Sequence, residues 1–84
     1  MQNIQINNEP RINRICIMGM LRRKDIKLTK QRVALASLLF NLPCGHVTAE
    51  ELHDETKRNE LKISLATVYN TLNHFADNGL IKTL

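Results

Sequence analysis

Residues 64–82, SLATVYNTLNHFADNGLIK, decide the fold. Ser64 is a good N-cap, because its side-chain oxygen can accept a hydrogen bond from a free backbone N–H in the first turn. Apolar residues then recur at the 3.6-residue spacing of one helix side: Leu65, Val68, Leu72, Phe75 and Ala76. Asn78-Gly79 supplies a left-handed stop. The pattern predicts a helix over residues 65–77, followed by an apolar strand start at residues 80–82.

The opposite side of this helix is polar and nearly uncharged. With Leu72 inward, the residues expected outward are Thr67, Asn70 and His74, flanked by Ala66, Thr71 and Asn73, with Tyr69 at the edge. No Lys or Arg occurs from Leu65 to Ile81. Small neutral hydrogen-bonding groups suit base edges in the major groove, where Asn can pair with adenine and methyl groups can meet thymine. The alternative is an ordinary solvated face, although stronger helix formers such as Glu and Lys are then more usual.

Three earlier helices are expected. Thr48 and Glu51 form a capping-box pattern ahead of a helix over residues 49–58, with Ala49, Leu52 and Thr56 inward. Thr29 caps a helix over residues 30–41 that is apolar on most sides, which predicts a central core helix. A first helix is expected from about residue 12 to 24, with inward positions Ile15, Met18 and either Leu21 or Ile26. The predicted fold class is therefore mainly α, with three to four helices, and the last two helices joined by a turn match a helix-turn-helix arrangement.

Length and composition fit one small globular domain. The chain has 84 residues, 43% of them hydrophobic and 24% charged. Residues 1–11 are polar and predict a mobile arm, and residues 12–84 the domain itself. No apolar run approaches the roughly 18 residues that cross a membrane, and no targeting segment is evident. We therefore expect a cytoplasmic protein without membrane partners.

Basic charge is concentrated in the N-terminal third. Residues 1–32 hold eight Lys or Arg against two acids, whereas residues 33–63 hold three against five. Such a patch attracts phosphate backbones in a salt-dependent, sequence-independent way. On charge alone, nucleic-acid binding and a merely solubilising surface stay equally open.

No enzyme is expected from the side chains present. There is no paired-carboxylate, Ser-His-Asp or Cys-His spacing and no glycine-rich phosphate loop. Cys16 and Cys44 form no CxxC pair, so free, partly buried thiols are preferred over one disulfide.

Four segments in order resemble the ferric uptake regulator (Fur) family. Residues 64–82 resemble its ATVYR-type recognition helix and following D-x-G-L/I. Residues 26–29 resemble its G-L-K-x-T entry, residues 29–33 its T-x-x-R helix start, and residues 46–52 its H-x-S/T-A-E-x-L/I segment. The resemblance covers about residues 20–84 and is nearest the haem-responsive iron response regulator (Irr) branch.

The resemblance implies a winged helix-turn-helix domain with the wing truncated, in a repressor-type transcriptional regulator of iron- or haem-responsive genes. Such a regulator would bind double-stranded DNA as a homodimer, on A/T-rich inverted repeats. Lys27 would enter a minor groove, and Arg32 would contact a phosphate. Ser64, Thr67 and Tyr69 would lie at the major groove, with Tyr69 against thymine. Asn70 stands where many members have Arg, which suggests an adenine preference in place of a guanine contact.

The resemblance also implies iron, zinc or haem as effector of the full-length family. His46 matches the position that contributes one ligand to the regulatory metal site. One His cannot hold a metal tightly, so a capping or exposed His is the preferred interpretation, and no cofactor is expected on this chain. The order Pro43-Cys44-Gly45 differs from the Cys-Pro haem motif, which disfavours haem ligation by Cys44.

The chain ends before the family's wing and its dimerisation and sensing domain would follow. We therefore expect either a fragment or a gene product that ends early, and a monomer in the absence of that domain. The alternative function is a truncated protein-interaction module, which pairs through the exposed strand start at Leu80 and Ile81 with a full-length regulator and modulates it.

Overall fold

A computed structural model describes residues 13–42 and 47–82. Within these residues the chain forms four α-helices and no strand. Their bounds are α1 Arg14–Arg23, α2 Lys30–Phe40, α3 Ala49–Arg58 and α4 Leu65–Asp77. The mainly α fold is confirmed, and the bounds predicted for α3 and α4 agree with the structure. The expected arm, residues 1–11, lies outside the described residues.

Each helix begins at a polar cap. The predicted caps Thr29, Thr48 and Ser64 each accept a hydrogen bond from the backbone N–H three residues later. The capping box of α3 is complete, because Thr48 N also donates to Glu51 Oε1 at 2.9 Å. These caps fix where α2, α3 and α4 start, and therefore which side chains face the core.

Three helices end in the same left-handed turn. The residues with positive φ are Asp25 (59°), Glu60 (57°) and Gly79 (79°). In each case the next backbone N–H reaches back to a carbonyl of the last turn: Ile26 to Leu21 at 2.9 Å, Leu61 to Thr56 at 2.8 Å, and Leu80 to Phe75 at 2.9 Å. This is the hydrogen-bond pattern of a Schellman motif, in which an apolar residue folds back onto the helix.

The core has two clusters. The first joins α1, α2 and the end of α4 through the buried residues Ile17, Leu21, Ile26, Val33, Ala36 and Phe75. The second joins α2, α3 and the middle of α4 through Leu35, Ala49, Leu52, Ile63 and Val68. α2 contributes to both clusters and packs against each of the other three helices, so it is the central helix that the sequence predicts.

The expected register of α1 is wrong in one position. Ile15 was placed inward, but it is 77% exposed, whereas Ile17 is fully buried. The buried stripe is Ile17 and Leu21, one turn apart, with Met18 partly buried beside it. Both Leu21 and Ile26 are buried, so the end of α1 is fixed from two sides.

Within the described residues, 80–82 carry no strand, and the strand start stays a prediction. Leu80 and Ile81 lie after the last turn of α4 and pack, partly buried, against the first cluster. The Schellman turn at Gly79 directs them back towards the core.

Two further expectations concern solvent and membrane. Cys16 is a free thiol, as expected, but it is exposed rather than partly buried. Cys44 lies outside the described residues. Among the helices described, none has the length and apolar character needed to cross a membrane.

Candidate nucleic-acid interface

The packing of α4 determines which of its residues face outward. It buries Val68, Thr71 and Phe75, at spacings of three and four residues. Thr71 was expected on the outward flank and Leu72 at the inward centre, but Thr71 is 7% exposed and Leu72 is half-buried. The helix is therefore rotated from the expected orientation, with Thr71 on the buried side between Val68 and Phe75.

The exposed face of α4 consists of Ala66, Tyr69, Asn70 and Asn73. Thr67 and His74, which were expected outward, are half-buried at its borders. Asp77 is the one charged residue of α4, at its last position. We call Ala66, Tyr69, Asn70 and Asn73 the α4 face. It presents an amide pair, a phenol and a methyl group, which are the groups that contact base edges.

Ser64 and Thr67 form a closed pair at the start of α4. Thr67 N donates to Ser64 Oγ at 3.1 Å, and Ser64 Oγ donates to Thr67 Oγ1 at 2.9 Å. A hydroxyl group has one proton and two lone pairs. The proton of Ser64 is therefore used within the pair, and the proton of Thr67 stays available to an outside acceptor.

Tyr69 is joined to α3 by a hydrogen bond. Its hydroxyl donates to Glu50 Oε2 at 2.6 Å. Tyr69 is 44% exposed, and Glu50 is exposed in the first turn of α3. The hydrogen bond lowers the pKa of Glu50 below its ordinary value, and the same bond raises the pKa of Tyr69. The pair therefore stays a phenol donor and a carboxylate acceptor at neutral pH.

Arg32 holds the link between α1 and α2. Its Nη1 donates to the backbone oxygen of Lys27 at 2.9 Å. Arg32 is half-buried and Lys27 is exposed, so the guanidinium fixes the backbone from which the Lys27 side chain projects. A guanidinium has five N–H donors, which leaves Arg32 donors for a phosphate as well.

A basic segment, residues 14–32, adjoins this link. It contains seven Lys or Arg against one acid, Asp25. All seven except Arg32 are exposed. Positive charge at this density is typical of a surface that meets a phosphate backbone.

The predicted site residues fall into two groups. Lys27 and Arg32 form the first group, joined at the link between α1 and α2. The second group lies on α4 and its cap, and consists of Ser64, Thr67, Tyr69 and Asn70. Within residues 13–42 and 47–82, no hydrogen bond or salt bridge joins the two groups. This separation is compatible with a division between phosphate contact and base contact.

The residues described offer no complete metal site by themselves. No group of three or more His, Cys, Asp or Glu able to hold a metal occurs among them. His46 lies outside the described residues. These residues alone do not fit a metal ion.

Glu50 is the residue that sequence reasoning missed. It is 19 residues away from Tyr69 in the chain. Next to the capping box it passes for an ordinary first-turn acid that favours the helix dipole. No local pattern connects it to α4, since the contact depends on the packing of α3 on α4.

Known protein families include one whose model matches this chain over most of its length. The model of the ferric uptake regulator family matches residues 23–84. The chain belongs to the ferric uptake regulator family. The match begins at Arg23, the last residue of α1, and includes Lys27, Arg32 and the whole of α4.

Several curated relatives carry matching segments. The zinc uptake regulation protein of Mycobacterium tuberculosis is 44% identical over 59 residues, which are 70% of this chain and 45% of the relative. The ferric uptake regulation protein of Synechocystis is 37% identical over 65 residues, 76% of this chain and 39% of the relative. That of Yersinia pestis is 38% identical over 61 residues, 73% of this chain and 41% of the relative.

The chain thus spans less than half the length of these relatives. No solved structure matches it. The family predicted from the four motifs is confirmed. The finer assignment to the iron response regulator branch stays a prediction, because the relatives named above are zinc and ferric uptake regulators.

Proposed function

We propose that this chain is a DNA-binding module of a metal-responsive transcriptional regulator. The observation that carries the proposal is the α4 face. A surface that displays Asn70, Asn73 and Tyr69 without Lys or Arg can make hydrogen bonds and methyl contacts to base edges. The names of the relatives, which concern zinc and ferric uptake, support the metal-responsive class.

The basic segment would supply the sequence-independent part of the affinity. Lys27 projects from a backbone held by Arg32, so its ammonium group can reach a groove or a phosphate from a fixed base. The spare donors of Arg32 can contact a phosphate. Phosphate contacts position a protein on the duplex but carry no sequence information.

Base recognition would come from α4. The free proton of Thr67 can be donated to a base acceptor, and the ring of Tyr69 can pack on a thymine methyl group. Ser64 acts mainly through Thr67, because its own hydroxyl is used in the cap. Asn70 can bond the N6 and N7 atoms of adenine, which favours an A/T-rich target.

The remaining family properties are part of the same proposal. They are a homodimer on inverted repeats, an effector that is iron, zinc or haem, and one metal ligand from His46 within the whole regulator. A dimer joins two half-sites, and its affinity exceeds that of a monomer by the effective concentration of the second half-site. The alternative, an interaction module pairing through Leu80 and Ile81, is weakened because both side chains are partly buried.

The test is a titration of the chain against two duplexes at several salt concentrations. One duplex carries an A/T-rich inverted repeat, and the other has the same base pairs in scrambled order. We expect tighter binding to the repeat and a salt slope that reports several phosphate contacts. Weak and equal binding to both duplexes would reject base recognition by α4 and leave only a basic patch.

A further inference from the structure

We propose that Glu50 is a specificity-determining residue of the DNA-binding surface. It acts by accepting the one hydrogen bond that the Tyr69 hydroxyl can donate. The inference rests on the proposed function, since it concerns which bases the α4 face accepts. It starts from the contact between Tyr69 Oη and Glu50 Oε2, 2.6 Å apart.

The direction of this hydrogen bond follows from the chemistry of the two groups. An ionised carboxylate only accepts hydrogen bonds, and a phenol has a single proton to donate. Glu50 is ionised at neutral pH, because the contact with Tyr69 lowers its pKa further. Tyr69 must therefore be the donor.

The consequence concerns the side of Tyr69 that faces solvent. Because the phenol proton is donated in the hydrogen bond to Glu50, the phenol oxygen can only accept a hydrogen bond from a further partner. In the major groove the donors that can meet a lone pair are the amino groups of adenine N6 and cytosine N4. The acceptor atoms, guanine O6 and N7, adenine N7 and thymine O4, are repelled by the phenol oxygen, while the ring can still pack on a thymine methyl group.

The same restriction applies to the phosphate backbone. Phosphate oxygens are acceptors, and Tyr is one of the side chains that commonly donate to them. A Tyr69 whose proton is committed cannot anchor on a phosphate, so it stays available to base edges. Glu50 therefore favours base contact by Tyr69 and leaves phosphate contact to Lys27 and the basic segment.

Glu50 also places a negative charge on a surface that approaches phosphates. Such a charge lowers affinity for every duplex. Specificity is a difference of affinities and is often obtained through repulsive elements of this kind. Replacing Glu50 should therefore raise affinity for every duplex through the lost charge, and reduce discrimination because the Tyr69 proton is no longer committed. A residue that merely supports the fold would instead lower affinity for all sequences alike.

The test uses the full chain and a double-stranded DNA library with a randomised centre. Wild type, Glu50→Gln, Tyr69→Phe and the double variant are each selected on the library. Asp54→Asn is the matched control, because Asp54 is exposed and lies one turn after Glu50 on α3. It removes the same charge without touching Tyr69.

We expect Tyr69→Phe to identify the base-pair position, where the preference for an amino-bearing base falls roughly threefold to tenfold, the range of one hydrogen bond. Glu50→Gln should relax the same position, because an amide can donate as well as accept and so no longer commits the Tyr69 proton, and it should bind disfavoured duplexes more tightly. The double variant should change the base preference no further than Tyr69→Phe does, because both changes remove the same interaction. Asp54→Asn should leave the preference unchanged.

The outcomes separate the two proposals. A wild-type chain that enriches no sequence would reject base recognition and this inference with it. A wild-type chain that enriches a sequence, with Glu50→Gln enriching the same sequence equally, would overturn the role of Glu50 and leave the proposed function standing. Equal relaxation by Asp54→Asn would also overturn it, since charge alone would then account for the effect.

Discussion

Tyr69 on α4 and Glu50 on α3 are joined by a 2.6 Å hydrogen bond between two exposed side chains. The two residues are 19 positions apart in the chain and lie on different helices. It holds the one tyrosine of the chain at the edge of the α4 face. A surface side chain that is fixed in this way loses less freedom on binding than a mobile one, which favours a defined contact.

The Tyr69–Glu50 pair should make stability fall at both ends of the pH range. The pKa of Glu50 is lowered from 4.5, so its contribution is fully present above 4.5 and is lost as pH falls through the lowered value. The pKa of Tyr69 is raised from 10.0, so its contribution is present below 10.0 and is lost as pH rises through the raised value.

Glu50→Gln should remove both of these dependences. The measurement is the free energy of unfolding by urea across a pH series, taken as wild type minus variant. The difference should be constant between the two limits and shrink outside them. Since the chain has one Tyr and no Trp, tyrosinate absorbance reports Tyr69 directly. A Tyr69 pKa that Glu50→Gln leaves unchanged would mean that the pair is not formed in solution.

Two Gly→Ala substitutions should have opposite effects on stability. A Cβ at Gly19 or at Gly79 meets nothing within 4 Å, so neither substitution causes a clash. Gly19 is inside α1, where Ala should stabilise by about 0.5–1 kcal/mol. Gly79 has a φ of 79°, where Ala should destabilise by about 1–2 kcal/mol.

The urea midpoints of the two variants test this pair at an unchanged m value. Each variant serves as the control of the other, because both add one methyl group to open space. Shifts of the same sign would show that backbone conformation at residue 79 is not what distinguishes the two positions.

The corrected register of α1 predicts unequal costs for two neighbouring isoleucines. Ile17→Ala should cost about 2–5 kcal/mol, because Ile17 is fully buried in the first cluster. Ile15→Ala should change stability by less than about 0.5 kcal/mol, because Ile15 is 77% exposed. The measurement is the midpoint of thermal unfolding of each variant, compared with that of the wild type. A larger loss for Ile15→Ala would restore the register that the sequence suggested.

Asn70→Arg should change the base that α4 prefers. Asn pairs with adenine N6 and N7, whereas Arg pairs with guanine O6 and N7. Asn70 is exposed on the α4 face, so the longer side chain fits without repacking. Binding is compared on two duplexes that differ at one base pair, adenine or guanine. An unchanged ratio of affinities for the two duplexes would rule out base contact by residue 70.

Much of the fold follows from local signals. Thr29, Thr48 and Ser64 are polar caps directly ahead of apolar periodicity, and each starts the helix predicted for it. Rotation of a helix about its axis is less well determined. Thr71 and Leu72 are adjacent, and the burial of the smaller residue depends on how the two core clusters meet.

The site is predictable only in part for a related reason. Asn70 and Tyr69 are recognisable because weak helix formers occupy an outer face. The contact of Tyr69 with Glu50 depends on tertiary packing, and the Arg32 bond to Lys27 O depends on the path of a link between helices. Neither has a periodic signature in the sequence.

The most direct test of the central claim compares Lys27→Ala with Asn70→Ala on a panel of duplexes at several salt concentrations. Lys27→Ala should weaken all duplexes by a similar factor and reduce the salt slope by about one, as expected for a lost phosphate contact. Asn70→Ala should leave the slope unchanged and alter the ranking of the duplexes. If both variants weaken every duplex equally, then α4 does not recognise bases, and the account is contradicted.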